Sequence, residues 1–397
     1  MRASLISLLA ALACAGCYRS HEAAAPAVDA SFAPCAPPPG GACRRWVADG
    51  SLVELSRPLA TDQSVRFGQA LARDCSALAV WARVTNDGGE ITLDHVTRTF
   101  NWQGALTGEA TPLEGLSFES SAATLPRLAR GDGHAAVMVV GEGACHFAPL
   151  DLDGRVRGAS DRFPVVDGVC DGLAATPRGY SFVRSGETPL TVHHVDPIGG
   201  ELGEGRFAPP RHALWDRLVY EDGSFLAAWH RVVPPGAPRV TTLQRLDVEG
   251  RPLGPEVELG EDAFGVEIVP TAQGPLLVWS TSGPGGVPLR VRPVDRDGLP
   301  RGDTLSAPAL HAFDVAAAPT PDGDVLLAWI ENHAPEDFRL RLQALDPAGA
   351  PRGEPNTIPL PEARPDLQVL VAPTGGLGLA IYSDSAFIRA QPLRCVP

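Results

Sequence analysis

An all-β fold of repeated four-stranded sheets is the class this sequence predicts, and three observations predict it. The pattern Asp/Asn-x-x-Gly-x-x-x-Gly occurs six times, starting at Asn101, Asp151, Asp196, Asp247, Asp295 and Asp346. Trp229, Trp279 and Trp329 stand 50 residues apart, each closing a short apolar run. Gly (42) and Pro (39) are frequent enough among the 397 residues to require many turns and few long helices. Self-similarity at one fixed period is the mark of a repeat architecture.

The sixth copy shows the unit most clearly. Strand A spans 313–318, and a Pro321-Asp322-Gly323 turn leads to strand B at 325–330. A variable connection follows over 331–337, then strand C at 338–345 with apolar Leu340, Leu342 and Leu345. The Asp346 turn leads to strand D near 357–360. Each run is too short for an ordinary helix and is bounded by turn residues. In the turns, the Asp carboxylate can accept backbone N–H groups and Gly can supply a positive φ. Four strands in roughly 50 residues is the blade of a β-propeller.

The blade count comes from residues 388–394, which align with 340–346 at an offset of 48 and form a seventh strand C. Its outer strand is missing, and the unused segment 50–59 is the predicted replacement. A seven-bladed β-propeller over residues 44–397 is therefore expected, its ring closed by an N-terminal strand that removes the open edge. The repeated Trp residues read as packing between blades. The sequence resembles the broad β-propeller superfamily, and within it repeat-rich exported lipoproteins of high-GC Gram-negative bacteria. This resemblance spans nearly all of 44–397 and implies a fold, not an activity. The signature residues of kelch and WD blades are absent. So are the Ser-x-Asp-x-Gly-x-Thr-Trp boxes of sialidases and the Trp-bearing turn of quinone-dependent dehydrogenases.

The N-terminus supplies an address. Arg2, an apolar run from Leu5 to Gly16 and small residues before Cys17 describe a secretory signal over 1–16, too short to span a bilayer. Ala15-Gly16-Cys17 resembles the lipobox of bacterial lipoproteins, departing from it at Cys14, where Leu is usual. The resemblance implies acylation of Cys17 and membrane contact through the acyl anchor alone. The other reading is an ordinary signal cut after Ala23-Ala24-Ala25. Residues 17–43 are rich in Ala and Pro and read as a tether. Tyr18, rather than Asp, follows Cys17, so the resemblance implies the outer membrane.

Beyond Cys17 and the leader's Cys14, six cysteines remain: Cys35, Cys43, Cys75, Cys145, Cys170 and Cys395. An even number in an exported chain suggests disulfides. A Cys43–Cys395 bond would staple the closure, and Cys145 and Cys170 are expected to pair. Cys35 and Cys75 are then left over. The alternative pairs Cys35 with Cys43 or Cys395.

Composition excludes several chemistries. The chain has no lysine, so a P-loop, a Schiff base and a Ser-x-x-Lys nucleophile are ruled out. A net charge of −14 argues against nucleic acid. Neither His-Glu-x-x-His nor Gly-x-Ser-x-Gly occurs. Asp151 with Asp153, and Asp295 with Asp297, faintly suggest calcium loops but lack the further acidic ligands, so turn-forming Asp is preferred. His193 and His194 are neighbours on a strand and should point to opposite faces. No catalytic residue, metal or cofactor is assigned.

Function on such scaffolds concentrates in irregular loops. These are the B–C and D–A connections, where His230, His311, Glu331, Asn332, His333, Glu336 and Asp337 offer polar side chains. The expected role is a monomeric, non-enzymatic binding platform for a protein or glycan on that face. The alternatives are a polysaccharide hydrolase or lyase with its site at the central channel, and a purely structural module.

Overall fold

The computed structural model describes residues 43–56, 63–73, 75–87, 90–119, 126–141, 143–158, 161–164, 170–184, 190–207, 213–231, 240–261, 263–281, 288–307, 312–334, 337–361, 367–383 and 387–396. The repeated turn is where its regularity begins. Asn101 and the five Asp residues each accept two backbone N–H groups through Oδ1. The donors are Gln103 and Ala105, Asp153 and Arg155, Ile198 and Gly200, Glu249 and Arg251, Asp297 and Leu299, and Ala348 and Ala350, at 2.8–3.0 Å. The first glycine of each turn donates to the carbonyl of the same Asp or Asn. All six of these glycines have positive φ, between 79° and 98°. Asp151 and Asp295 therefore act as turn formers: one lone-pair-bearing oxygen of each is committed to the backbone.

Four-stranded antiparallel sheets run from the inside outward in the order A–B–C–D. Blade 1 is Gln63–Ala72, Ser76–Asp87, Glu90–Asn101 and Thr111–Glu119, and blade 2 is Arg127–Arg130, Ala135–Gly141, Ala144–Leu150 and Asp161–Pro164. Blade 3 is Cys170–Thr176, Gly179–Arg184, Leu190–Val195 and Glu201–Phe207, and blade 4 is Ala213–Glu221, Ser224–Arg231, Val240–Leu246 and Val257–Glu261. Blade 5 is Ala263–Val269, Leu276–Thr281, Leu289–Pro293 and Leu305–Ala307, and blade 6 is Ala312–Pro319, Val325–Ala334, Asp337–Leu345 and Pro351–Leu360. Blade 7 has Gln368–Val371, Leu377–Ser383 and Ile388–Val396. The A strands touch in cyclic order from blade 1 to blade 7 and back to blade 1. The molecule is a seven-bladed β-propeller.

Alternation along strand B gives each blade two packing faces. Trp229 packs with Val183 and Val192 of blade 3, and Trp279 with Leu226, Ala228 and Leu243 of blade 4. Trp329 packs with Val278, Leu289 and Val291 of blade 5. The alternate residues Leu326, Ala328 and Ile330 pack with Ala380, Tyr382 and Leu393 of blade 7. The tryptophans are the inter-blade core, and truncating one to Ala would cost about 3–5 kcal/mol.

The closing strand differs from the predicted segment 50–59. Two short pieces, Arg45–Ala48 and Val53–Ser56, both pair with strand C of blade 7. The first piece lies upstream of the prediction and carries Trp46, which is 1% exposed. Pro392 explains the interruption between the two. Its carbonyl faces the closing segment and accepts the Asp49 N–H at 2.8 Å, so the ladder needs an N–H on the same side that proline lacks. Gly50 turns away there with φ +98°, and its carbonyl is taken by the Gln391 side chain.

Both predicted disulfides are present. Cys43–Cys395 spans 352 residues with a Cα–Cα distance of 5.6 Å, and Cys145–Cys170 ties strand C of blade 2 to strand A of blade 3 at 5.8 Å. Cys75 is also disulfide-bonded. Cys35, Cys17 and the signal and tether segments up to residue 42 lie outside the described residues.

Candidate functional site

Three places on the ring gather polar groups. The innermost strands are the first. Strand A carries a register shift in five blades, between Phe67 and Gln69, Asp171 and Ala174, Trp215 and Arg217, Phe264 and Glu267, and Ala312 and Asp314. Such bulges re-aim the side chain that follows. Here the re-aimed groups lace one blade to the next. Gln69 accepts the Leu128 N–H, Arg217 pairs with Glu267, and Asp314 accepts the Leu367 N–H. Gln368 grips Ala70 of blade 1 twice, accepting from its N–H at 2.6 Å and donating to its carbonyl at 3.0 Å.

The second place is the B–C end of blade 6, where the sequence reading put a solvated loop. Strand B instead continues to Ala334 and strand C starts at Asp337, so Glu331, Asn332 and His333 belong to a strand. Glu331 is 3% exposed. Alternation puts it on the same side as Trp329 and His333, toward blade 5. The Trp329 indole donates to its Oε1 at 2.8 Å, and His333 Nε2 lies 2.9 Å and Arg341 Nε 3.9 Å from its Oε2. A buried carboxylate is tolerable only with such partners. Both of its oxygens are engaged, so the cluster closes on itself. Asp337 is held by Arg339 through two bonds, and this guanidinium keeps its carboxyl below the usual range. His230 lies in strand B of blade 4 with its side chain outside the described residues. His311, Glu336 and most of the D–A connections are likewise outside them.

The third place was not foreseen. A hollow of about 420 Å³ opens between blades 3 and 4 on the face of the regular turns. Blade 3 contributes Thr176, Arg178, Tyr180, Ser181, His194 and Leu202–Gly205, and blade 4 contributes Tyr220, Phe225, Val248 and Glu249. Gly205 sets the wall: a Cβ there would stand 1.8 Å from the Glu249 carbonyl, so only glycine lets the two blades approach so closely. The floor is aromatic. His194 stacks on Phe225 with centroids 6.4 Å apart, and Tyr220 meets the same ring edge-on at 5.4 Å. His194 Nδ1 sits 2.8 Å from Ser181 Oγ. Burial, with Arg178 second, holds the His194 imidazole below its ordinary pKa, although Glu249 pulls the other way. Ser181 is fully buried, so its hydroxyl fixes the ring rather than meeting a substrate. As expected, His193 faces the other side, stacked on Phe182 at 5.4 Å.

The sequence did carry a signal for this hollow. All the exposed large hydrophobics of the described residues lie in or just after the repeated turns: Leu106, Ile198, Leu202, Val248, Leu253, Leu299 and Leu305. Four of them belong to blades 3 and 4. Turn positions are ordinarily polar, so apolar residues there mark a surface.

No family model and no curated protein matches the chain. Solved structures do. A protein of unknown function from Dyadobacter fermentans is 14% identical with a TM-score of 0.52, over 88% of this chain and 99% of that one. A prolyl endopeptidase is 17% identical with a TM-score of 0.50, over 83% of this chain. This chain spans 47% of that endopeptidase's length. The NanB sialidase of Streptococcus pneumoniae is 8% identical with a TM-score of 0.50, over 86% of this chain and 70% of that one. At these identities the likeness is one of fold.

Proposed function

We propose that this protein is a non-enzymatic binding propeller, held at the cell envelope by acylated Cys17 and presenting a protein- or glycan-binding surface. One observation carries the reading: among the described residues, the inner-strand carboxylates Glu267 and Asp314 are both spent on contacts that include the neighbouring blade. Glycoside hydrolysis needs two carboxyl groups free to face one bond. Glu267 is paired with Arg217, and Asp314 accepts backbone N–H groups of Val315 and Leu367. The carboxylate of Glu331 is occupied by Trp329, His333 and Arg341. What remains is a rigid ring with an apolar hollow, which suits recognition.

The test is a pulldown with the full chain from detergent-solubilised envelope, alongside a glycan panel scored for both binding and turnover. A specific partner without turnover supports the proposal, and turnover of any glycan overturns it. Cys17→Ala should move the protein to the soluble fraction and abolish acyl labelling. Retention in the membrane fraction would remove the anchor from the proposal.

A further inference from the structure

We infer that the face of the regular turns lies against a phospholipid bilayer, with its aliphatic side chains in the headgroup boundary and Arg178 reaching a lipid phosphate. This rests on the acylated-anchor part of the binding-platform reading. It goes beyond contact through the acyl chains alone and leaves the opposite face to a partner.

The point where the chain enters the ring decides which face the anchor serves. In blades 1 to 6, strand C runs into a turn on this face, and blade 7 has the Cys43–Cys395 bond at the same level. There the Arg44 N–H donates to the Val396 carbonyl at 3.2 Å, and the Cys395 N–H donates to the carbonyl of Gly376, in the A–B turn of its own blade, at 2.8 Å. The Arg44 carbonyl also stands beside the second repeat glycine of blade 6, 3.7 Å from where a Cβ on Gly353 would lie. A chain anchored at Cys17 therefore joins the ring on the turn face. Cys17 precedes Cys43 by 26 residues, at most about 90 Å of chain. Such a tether makes docking an intramolecular step, so a modest apolar surface suffices.

The spread of the apolar residues decides what the face meets. Among the described residues, all the exposed large hydrophobics lie on this face, and they are dispersed over four blades. Leu106 belongs to blade 1, Ile198 and Leu202 to blade 3, Val248 and Leu253 to blade 4, and Leu299 to blade 5. Ile198 and Leu253 reach 65% and 58% exposure. In a ring of seven, blades 3 and 4 stand farthest from blade 7. Anchor entry on one side and aliphatic turns on the other bring the whole face down onto a flat surface. A protein partner would instead meet one compact patch with a dry centre. Arg178 adds the polar half. It is exposed in the A–B turn of blade 3, at the wall of the hollow that opens on this face, and has no ion partner among the described residues. An arginine beside aliphatic side chains suits the level where acyl chains meet phosphates: its stem covers apolar surface and its fork takes phosphate oxygens.

The test reconstitutes the acylated full chain in phosphatidylcholine vesicles that contain a diazirine-bearing phosphatidylcholine, and maps the labelled peptides after irradiation. The expected result is label at residues 196–205, 247–254 and 295–305 in addition to the N-terminal segment. Ile198→Ser with Leu253→Ser should lower the ring label roughly 10-fold. Vesicle retention and melting temperature should stay unchanged, because both side chains are exposed. Arg178→Gln should cause a smaller loss, roughly 2-fold. Label on the N-terminal segment alone, or on 331–338 of the opposite face, would overturn the inference and leave the anchor standing. Ring label that survives the double substitution would overturn it as well. An unacylated chain that stays in the supernatant would remove the anchor itself, and the docking with it.

Discussion

Blades 1 to 6 pass from strand C to strand D through a peptide turn, and blade 7 does so through a disulfide. In each of the first six, Asp or Asn holds two backbone N–H groups and a glycine takes positive φ. In the seventh, Cys395 is the next-to-last residue of strand C, and Cys43 leads into the outer piece Arg45–Ala48, with Trp46 opposite Cys395 in register. One sulfur–sulfur bond stands where six turns stand elsewhere. A turn is local and forms with its own hairpin. The disulfide joins positions 352 residues apart, so it acts on the whole chain.

Three pairs of substitutions test this contrast. The largest effect belongs to Cys395→Ser, which removes a constraint on a very long loop and should cost about 2–5 kcal/mol in denaturant unfolding. Cys43→Ser should match it, and the double variant should add nothing further. A loss no greater than for a single turn would break the contrast. Next comes Gly349→Ala. Its φ is +86°, and a Cβ would lie 2.8 Å from Val291 Cγ1 and 3.0 Å from Leu276 Cδ1 of blade 5. Strain and overpacking together should cost about 1–3 kcal/mol. Gly302→Ala shares the positive φ (+69°) but faces open space, so it should lose clearly less in the same melt. The smallest effect is Asp247→Ala, which frees two exposed N–H groups to water for about 0.5–1.5 kcal/mol. Asp247→Asn should lose less than Asp247→Ala, since Asn101 already makes both bonds without a charge and only the exposed Arg251 pair on Oδ2 is given up. A full loss in Asp247→Asn would mean that charge, not geometry, holds the turn.

What was legible in the sequence was whatever repeats. Six turns in register and tryptophans at equal spacing gave the blades and the packing between them, and the copy of strand C at 388–394 gave their number, because a period is visible without knowing any contact. The closing strand was read only in part. Trp46 lies outside the repeat, and the break at Pro392 depends on which way one carbonyl faces. Glu331 was misplaced for a similar reason. Its neighbours Asn332, His333 and Glu336 look like a polar loop, yet strand B runs four residues further, to Ala334, and holds the carboxylate against Trp329 and His333. The hollow draws on 176–181, 194–205 and 220–249, stretches that meet only once blades 3 and 4 stand side by side. Its sole trace in the sequence was aliphatic residues at turn positions, a signal about composition rather than spacing.

The shared sheet of residues 45–56 and 388–396 also sets an order in time. During synthesis, the first of these segments waits while more than three hundred residues form, and it has no sheet to join until the second appears. Blades 1 to 6 can assemble from neighbours, but their ring stays open with unpaired edges exposed. Closure therefore works as a completion check: a chain interrupted anywhere before residue 388 leaves both rims of the gap available to aggregation or proteolysis, and only the finished chain hides them.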